Sequence, residues 1–226
     1  MFSVLVIATR NKNKVREFRE LLAGMRFEIR SLDDFGPIPE AIEDGATFEE
    51  NAYKKALHTA KILGLPALAD DSGLMVEALG GAPGVYSARY AGDKASDDDN
   101  CQKLLREMAG KTDRRAAFHC ALSIAVPSGP ALTYEARCEG LLLEEKRGAN
   151  GFGYDPLFLF PELGKTFAEL DSAEKHRVSH RGKALAELKA EIDKVEKWLN
   201  MRLAEMMPPH PDHDQFMDND WSEGKR

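Results

Sequence analysis

Apolar and polar positions change period several times along the chain, and each change marks an element. Residues 3–8 (SVLVIA) are a short apolar run rich in β-branched side chains, the pattern of a buried strand. From residue 12 the spacing lengthens: Val15, Phe18, Leu21 and Leu22 share one face of a helix over 12–22 that stops near Gly24. Residues 27–31 fit a second strand, and 32–46, with two prolines and several acids, fit a loop. Thr47 followed by Glu50 is a capping signal that opens a helix running to Leu63, where Gly64 and Pro66 end it. A strand resumes at 68–70. The glycine-rich 80–84 excludes regular structure, 97–108 is helical, and 115–126 with 131–140 flank the turn 127–130 as an antiparallel hairpin. After a glycine-rich loop at 147–156, Leu185, Leu188, Ile192, Val195 and Leu199 step by 3 and 4, which predicts one helix over 181–203 with one buried stripe. This order predicts an α/β protein with a mixed central sheet and helices on its faces.

The 226 residues suffice for one large domain or two closely joined lobes, and the pattern places that unit over 1–204. After Glu205 the composition shifts to prolines at 208, 209 and 211 with scattered acids, which predicts a flexible extension over 205–226. No run approaches the roughly 18 apolar residues of a membrane span. The apolar start has no basic region before it and runs straight into a polar loop, so a signal peptide is not expected and the cytoplasm is. Three cysteines, Cys101, Cys120 and Cys138, lack CxxC spacing, which argues against a disulfide framework or a zinc site. The formal net charge of −7 argues against a protein that coats nucleic acid. A phosphate ligand then requires a local basic pocket or a metal ion.

Five stretches carry candidate chemistry. Thr9, Arg10, Asn11, Lys12, Asn13 and Lys14 lie between the first strand and first helix, where unsatisfied backbone N–H groups and the helix dipole favour an anion. Asp70, Asp71, Ser72 and Gly73 follow a strand; they read equally as a turn or as carboxylates for a hard cation, with only one aspartate facing a given site. Glu43, with Glu49, Glu50 and Asn51, can complete such a site or serve only as cap and solvated charge. The loop 148–156 combines three glycines with Phe152 and Tyr154, flat faces for a base, or is a plain loop with an aromatic anchor. Lys175, His176, Arg177, His180 and Arg181 put five basic or potentially basic residues within seven positions just before a helix, and His180 is a better candidate there than His58 or His119. Together they describe a nucleoside polyphosphate site.

With those stretches in view, residues 4 to about 198 resemble the inosine/xanthosine triphosphate pyrophosphatase family, through FEENAYKKA, LADDSGLMVEALGGAPGVYSARYAG, GFGYDPLF and AEKHRVSHRGKAL. The resemblance implies an elongated mixed β-sheet split into two lobes around a substrate cleft, and a homodimer. It implies Mg²⁺-dependent hydrolysis of ITP, dITP and XTP to the monophosphate and pyrophosphate. Carried over by position, Asp71 is the general base and a metal contact, and Glu43 helps hold the metal. Thr9 to Lys14 embrace the triphosphate and Ser72 touches the substrate. Phe152, Gly153, Tyr154, Asp155, Lys175, His180 and Arg181 grip base and phosphates, with Lys14 and Lys175 stabilising the leaving pyrophosphate. One departure stands out: the family's first loop usually reads T-G-N, and Arg10 replaces the glycine here. The competing expectations are a Maf-like pyrophosphatase for modified or pyrimidine nucleotides, disfavoured by SHRG and GFGYDP, and a nucleotide sensor without hydrolysis, disfavoured by Asp71 and Glu43. No nucleic acid and no membrane are expected as partners.

Overall fold

The computed structural model describes residues 3–206. In chain order the elements are β1 (Val4–Ile7), α1 (Lys12–Leu21), β2 (Glu28–Ser31), α2 (Phe48–Leu63), β3 (Ala67–Val76), α3 (Asp97–Glu107), β4 (Arg115–Ala125), β5 (Ala131–Leu142), β6 (Phe158–Phe160), β7 (Lys165–Thr166), α4 (Ser172–Val178), α5 (His180–Ala190) and α6 (Ile192–Ala204). The strands form one open mixed sheet in the order β2-β1-β3-β4-β5-β6-β7. β1 runs parallel to β2 and β3, and every pairing from β3 onward is antiparallel.

Side chains alternate between faces along a strand, and β3 turns that alternation into the layout of the molecule. Leu68 enters a cluster with Ile7, Phe18, Leu122, Leu185 and Leu188, beneath α1 and α5. Further along the same face, Leu74 and Val76 enter a second cluster with Leu104, Met108, Phe118, Phe158 and Phe167. Between them this face carries Asp70 and Ser72, so a polar strip separates two apolar cores. On the opposite face Ala67, Ala69 and Ala125 pack against Ala56 and Ala60 of α2.

β1 stops early. It pairs with β3 only at Val6↔Ala67 and Ile7↔Leu68, flanked by bonds from Val6 N to Pro66 O and from Ala8 N to Leu68 O, while β3 continues to Val76 along β4. From Asp70 the β1-side edge of β3 is therefore open, and the chain leaving β1 turns away into α1.

The antiparallel hairpin and the 48–63 helix stand as the pattern predicts, and three expectations need correction. The strand expected over 68–70 runs through Val76, and Asp70–Gly73 are strand rather than turn, because β4 supplies a ten-residue antiparallel partner. Gly73 is required there by close approach: a Cβ would stand 2.4 Å from Gly84 O. The basic run Lys175–Arg177 is not a segment before a helix but lies in α4, opened by an Asp171/Glu174 capping box. The single helix over 181–203 is two, α5 and α6, parted at Glu191, whose φ of −105° and ψ of 10° leave the helical region. The extension expected from 205 lies outside the described residues beyond Met206. Among the described residues no helix is long and apolar enough to cross a membrane.

Candidate active site

The open edge of β3 has a cavity on each side, and Asn11, Lys14, Ser72 and Ala88 line both. The first, of about 110 Å³, is walled by Phe118, Phe152, Gly153, Tyr154 and Asp155 and floored by Lys175, His180 and Arg181. The second, of about 290 Å³, holds Thr9, Arg10, Glu43, Lys55, His58, Asp71 and Arg89. A larger cavity of about 610 Å³ lies on the far side of Lys175, lined by Asn13, Arg16 and Glu20 among others. It contains neither Asp71, Glu43 nor Lys55, so size does not locate the chemistry.

The aromatic cavity is held by a chain of buried ion pairs. Lys14 Nζ lies 2.9 Å from Asp70 Oδ1, and Arg181 Nη2 lies 2.9 Å from Asp70 Oδ2. Arg181 Nη1 also meets Glu17, which in turn takes Lys175 at 3.1 Å, and Lys175 reaches Asp155 at 2.6 Å. Burial opposes the charge on Asp70, yet Lys14, Arg181 and Lys55 overcome it and hold the carboxyl far below the usual range. Burial likewise opposes Glu17, whose pKa Arg181 and Lys175 keep lowered. For Asp155 burial wins and the pKa is raised. Burial, reinforced by Arg181 and Lys175, keeps His180 neutral. Its ring stacks on Phe118 at 4.7 Å, and its buried Nδ1 has no hydrogen-bond partner in the protein.

The loop over 148–156 is shaped by Asp155, whose carboxylate accepts from Phe152 N at 2.9 Å. Phe152 lies partly exposed beneath Lys175 Nζ, 4.8 Å from the ring centre, a flat face at the cavity wall. Tyr154 is buried and donates to Ser87 O at 2.9 Å, so it anchors the loop.

Across the edge, Asp71 sits among different neighbours. Lys55 Nζ lies 2.6 Å from Asp71 Oδ1 and 3.2 Å from Glu43 Oε2, so both carboxylates converge on one ammonium. Asn51 Nδ2 donates to Asp71 Oδ2 at 3.4 Å, while its Oδ1 accepts from Gly45 N at 2.8 Å. Burial pushes the Asp71 pKa up, outweighing Lys55. Burial opposes the charge on Lys55, but Asp71, Asp70 and Glu43 prevail and keep it protonated. The Asp71 side chain is 10% exposed and that of Asp70 0%, so of the two only Asp71 opens to a ligand.

The site gathers most of the sequence candidates and turns some aside. Lys12 and Asn13 line neighbouring cavities instead. The N–H groups of Asn13 and Lys14, expected to be free for an anion, are already accepted by Asn11 Oδ1 at 3.0 and 3.2 Å. Asn11 is thus an N-cap, and the anion-attracting groups on this side are Lys14 and Lys55. Arg10 lines the cavity that holds Asp71, but its guanidinium donates to Ile38 O at 3.1 Å and approaches Asp33 at 3.6 Å. Lys175 faces the aromatic cavity and not the one containing Asp71. Glu49 and Glu50 are exposed on the first turn of α2. Two residues escape sequence reasoning, Lys55 and Glu17. Each has a faint signal: Lys55 is four residues after Asn51 on the alanine-lined face of α2, and Glu17 three after Lys14 on α1.

A model of the Ham1 family matches residues 5–191. A dITP/XTP pyrophosphatase of Desulfotalea psychrophila is 66% identical over 98% of this chain and 100% of its own length. One from Syntrophobacter fumaroxidans is 65% identical over 90% of this chain and 88% of its own. The solved structure of a HAM1 protein from Coxiella burnetii superposes with a TM-score of 0.79 at 44% identity, covering 85% of this chain and 100% of that one. A family model spanning residues 5–191, with a relative 66% identical over its whole length, settles the lineage: the chain belongs to the Ham1 family.

Proposed function

We propose that the chain is a nucleoside triphosphate pyrophosphatase that hydrolyses the α–β phosphoanhydride of ITP, dITP and XTP, releasing the monophosphate and pyrophosphate. One observation carries this reading: an aromatic cavity and a cavity with converging carboxylates meet at the open edge of one strand, where Ser72 and Lys14 line both. A nucleotide crossing that edge has its base on one face and its phosphates on the other. The names of the relatives support the same substrate class. Its purpose is to keep deaminated purines out of DNA and RNA.

Asp71 is the general base. Burial raises its pKa, which makes it a better proton acceptor than an ordinary aspartate. It orients and deprotonates the water that attacks the α-phosphorus in line. Asn51 fixes its rotamer, and Lys14 and Lys55 offset the triphosphate charge from two sides. Asp70 takes no proton in this scheme, because its charge is committed to Lys14 and Arg181.

The proposed cofactor is Mg²⁺, held by Asp71 and Glu43, and the residues fit it. Both carboxylates reach the same Lys55 ammonium, a point that a cation can take. Mg²⁺ takes one or two protein carboxylates, and this pair matches that donor set in kind. When bound, Mg²⁺ supplies charge neutralisation on the phosphates.

Base choice follows from hydrogen-bond direction. Hypoxanthine and xanthine present a 6-keto acceptor where adenine presents a 6-amino donor. His180 lines the aromatic cavity and, being neutral, carries one ring N–H that can donate to such an acceptor. Arg181 is less free to read the base, since Nε, Nη1 and Nη2 already serve Asp70 and Glu17. Sites built on such a match discriminate by up to ~10⁴-fold. The proposal extends to a catalytic unit over 1–204, a cytoplasmic location and a homodimer, the last resting on family resemblance alone and testable by light scattering.

The deciding experiment is pyrophosphate release from ITP, XTP, GTP and ATP, with Mg²⁺ and with EDTA. Fast Mg²⁺-dependent release from ITP and XTP alone is the expected result. Equal hydrolysis of all four would remove the sanitising role, and ITP binding without turnover would leave a sensor.

A further inference from the structure

The phosphate-side cavity is walled by a segment with no scaffold of its own. Among the described residues, no backbone-to-backbone hydrogen bond outside helices and strands involves residues 37–44, and those residues belong to neither element type. Pro37 and Pro39 remove two donors from it. Yet this segment carries Glu43. A loop without a ladder takes its position from the side chains that satisfy its backbone groups.

Its C-terminal end is fixed from α2: Gly45 N donates to Asn51 Oδ1 at 2.8 Å and Ala46 N to Glu50 Oε2 at 2.7 Å. The N-terminal end is gripped at two consecutive carbonyls. His58 Nε2 lies 2.9 Å from Pro39 O, a contact that requires the proton on that nitrogen, and Arg10 Nη2 donates to Ile38 O at 3.1 Å. The two come from different elements, α2 and the loop after β1. Both line the cavity that contains Asp71 and Glu43, and neither contacts Asp71.

We propose that His58 and Arg10 are positioning residues for Glu43: by holding the carbonyls of Pro39 and Ile38 they set the 37–44 segment so that Glu43 faces Asp71 across the cavity. The proposal rests on the reading of Glu43 as a metal-holding carboxylate and assigns to other side chains the task of putting it there. It also gives Arg10 a use that does not need contact with phosphate.

The test measures divalent-cation affinity without turnover. Mn²⁺ is titrated into the full chain with a non-cleavable α,β-methylene analogue of ITP, and free Mn²⁺ is read by electron paramagnetic resonance. His58→Leu removes the donor, whereas His58→Gln keeps an N–H at comparable reach. Losses of outer contacts that orient a metal ligand run from ~10- to 100-fold in affinity, and His58→Leu is expected at about the tenfold end, with His58→Gln within about twofold of the parent. Arg10→Met is expected to weaken Mn²⁺ in the same direction, and His58→Leu with Arg10→Met more than either. Circular dichroism melts confirm that the variants are folded, and half-exposed His58 makes that outcome expected. Unchanged Mn²⁺ affinity in His58→Leu, beside a loss in Glu43→Gln, overturns the positioning role alone. No loss in Glu43→Gln either overturns it together with the assignment of Glu43 to the metal.

Discussion

Asp70 and Asp71 are adjacent in one strand, point to opposite faces, and have opposite fates. Asp70 is enclosed by Lys14 and Arg181, and its proton affinity is driven down despite complete burial. Asp71 has one close cation, Lys55, a weaker amide contact and a slight opening to the cavity, and burial drives its proton affinity up. The same side chain thus becomes a fixed charge on one face and a proton acceptor on the other. The division extends outward. The base side is locked by ion pairs running from Asp155 through Lys175, Glu17 and Arg181 to Asp70, and the phosphate side is walled by a loop held through side chains. On the proposed reading the ion-paired side meets the base and the loop-walled side meets the triphosphate.

If that contrast is right, substitution to asparagine separates the two aspartates. Asp71→Asn is expected to lower kcat for ITP by roughly 10³-fold, within the range a positioned general base contributes, with the urea midpoint nearly unchanged. Near-normal turnover would remove the base assignment. Asp70→Asn is expected to act on stability first, costing about 3–5 kcal/mol in urea unfolding because Lys14 and Arg181 lose their shared counter-charge. A loss below about 1 kcal/mol would show that the ion-pair chain does not lock the base side.

The acid limb of kcat/KM sharpens the contrast. A carboxyl whose folded pKa is raised loses its proton later than usual, so activity should fall with acidification at a pH above the ordinary aspartate value of about 3.9. Lys55 favours the charged form of Asp71, so Lys55→Met should move the limb to higher pH, and a shift downward would contradict the assignment. Asp70 has the opposite sign. Its folded pKa is lowered, so its contribution to stability is present above about 3.9 and is lost as pH falls towards the folded value. Acid unfolding of the Asp70→Asn variant should accordingly have a shallower slope below that pH.

Most of this layout was legible in the sequence where a short pattern has one physical solution. Two strand-like runs, 115–126 and 131–140, flank a short turn and form the hairpin it predicts, and Asp70 and Asp71 face apart because they lie in a strand. What stayed hidden depends on partners distant in the chain. β3 outruns its 68–70 pattern because β4 lies alongside it, which no local window contains. The bend at Glu191 is invisible to periodicity, since Leu188, Ile192 and Val195 keep their phase across a single non-helical residue. The cap on α4, Asp171 with Glu174, is a local signal, and the basic residues after it belong to the helix that it opens. Lys55 has only a faint sequence signal of its own, because a lysine on a helix resembles a solvated charge until the fold places Asp71 and Glu43 around it.

The smallest expected effect falls on the base side and tests whether it is separable from the chemistry. Gly151 has a φ of +77°, and a Cβ built on it would stand 2.1 Å from Asp155 Oδ2, the atom that accepts from Phe152 N and from Lys175. Gly151→Ala therefore forces either the loop or the carboxylate to move, at a strain of about 1–3 kcal/mol. Since Phe152 rides on that loop, the loss should fall on binding: KM for ITP rises about tenfold, corresponding to ~1.4 kcal/mol, while kcat at saturation holds. The acid limb of kcat/KM should stay where it is, because Asp71 faces away from Asp155 across the strand edge. A moved limb with an unchanged KM would mean that the two faces of β3 titrate as one unit.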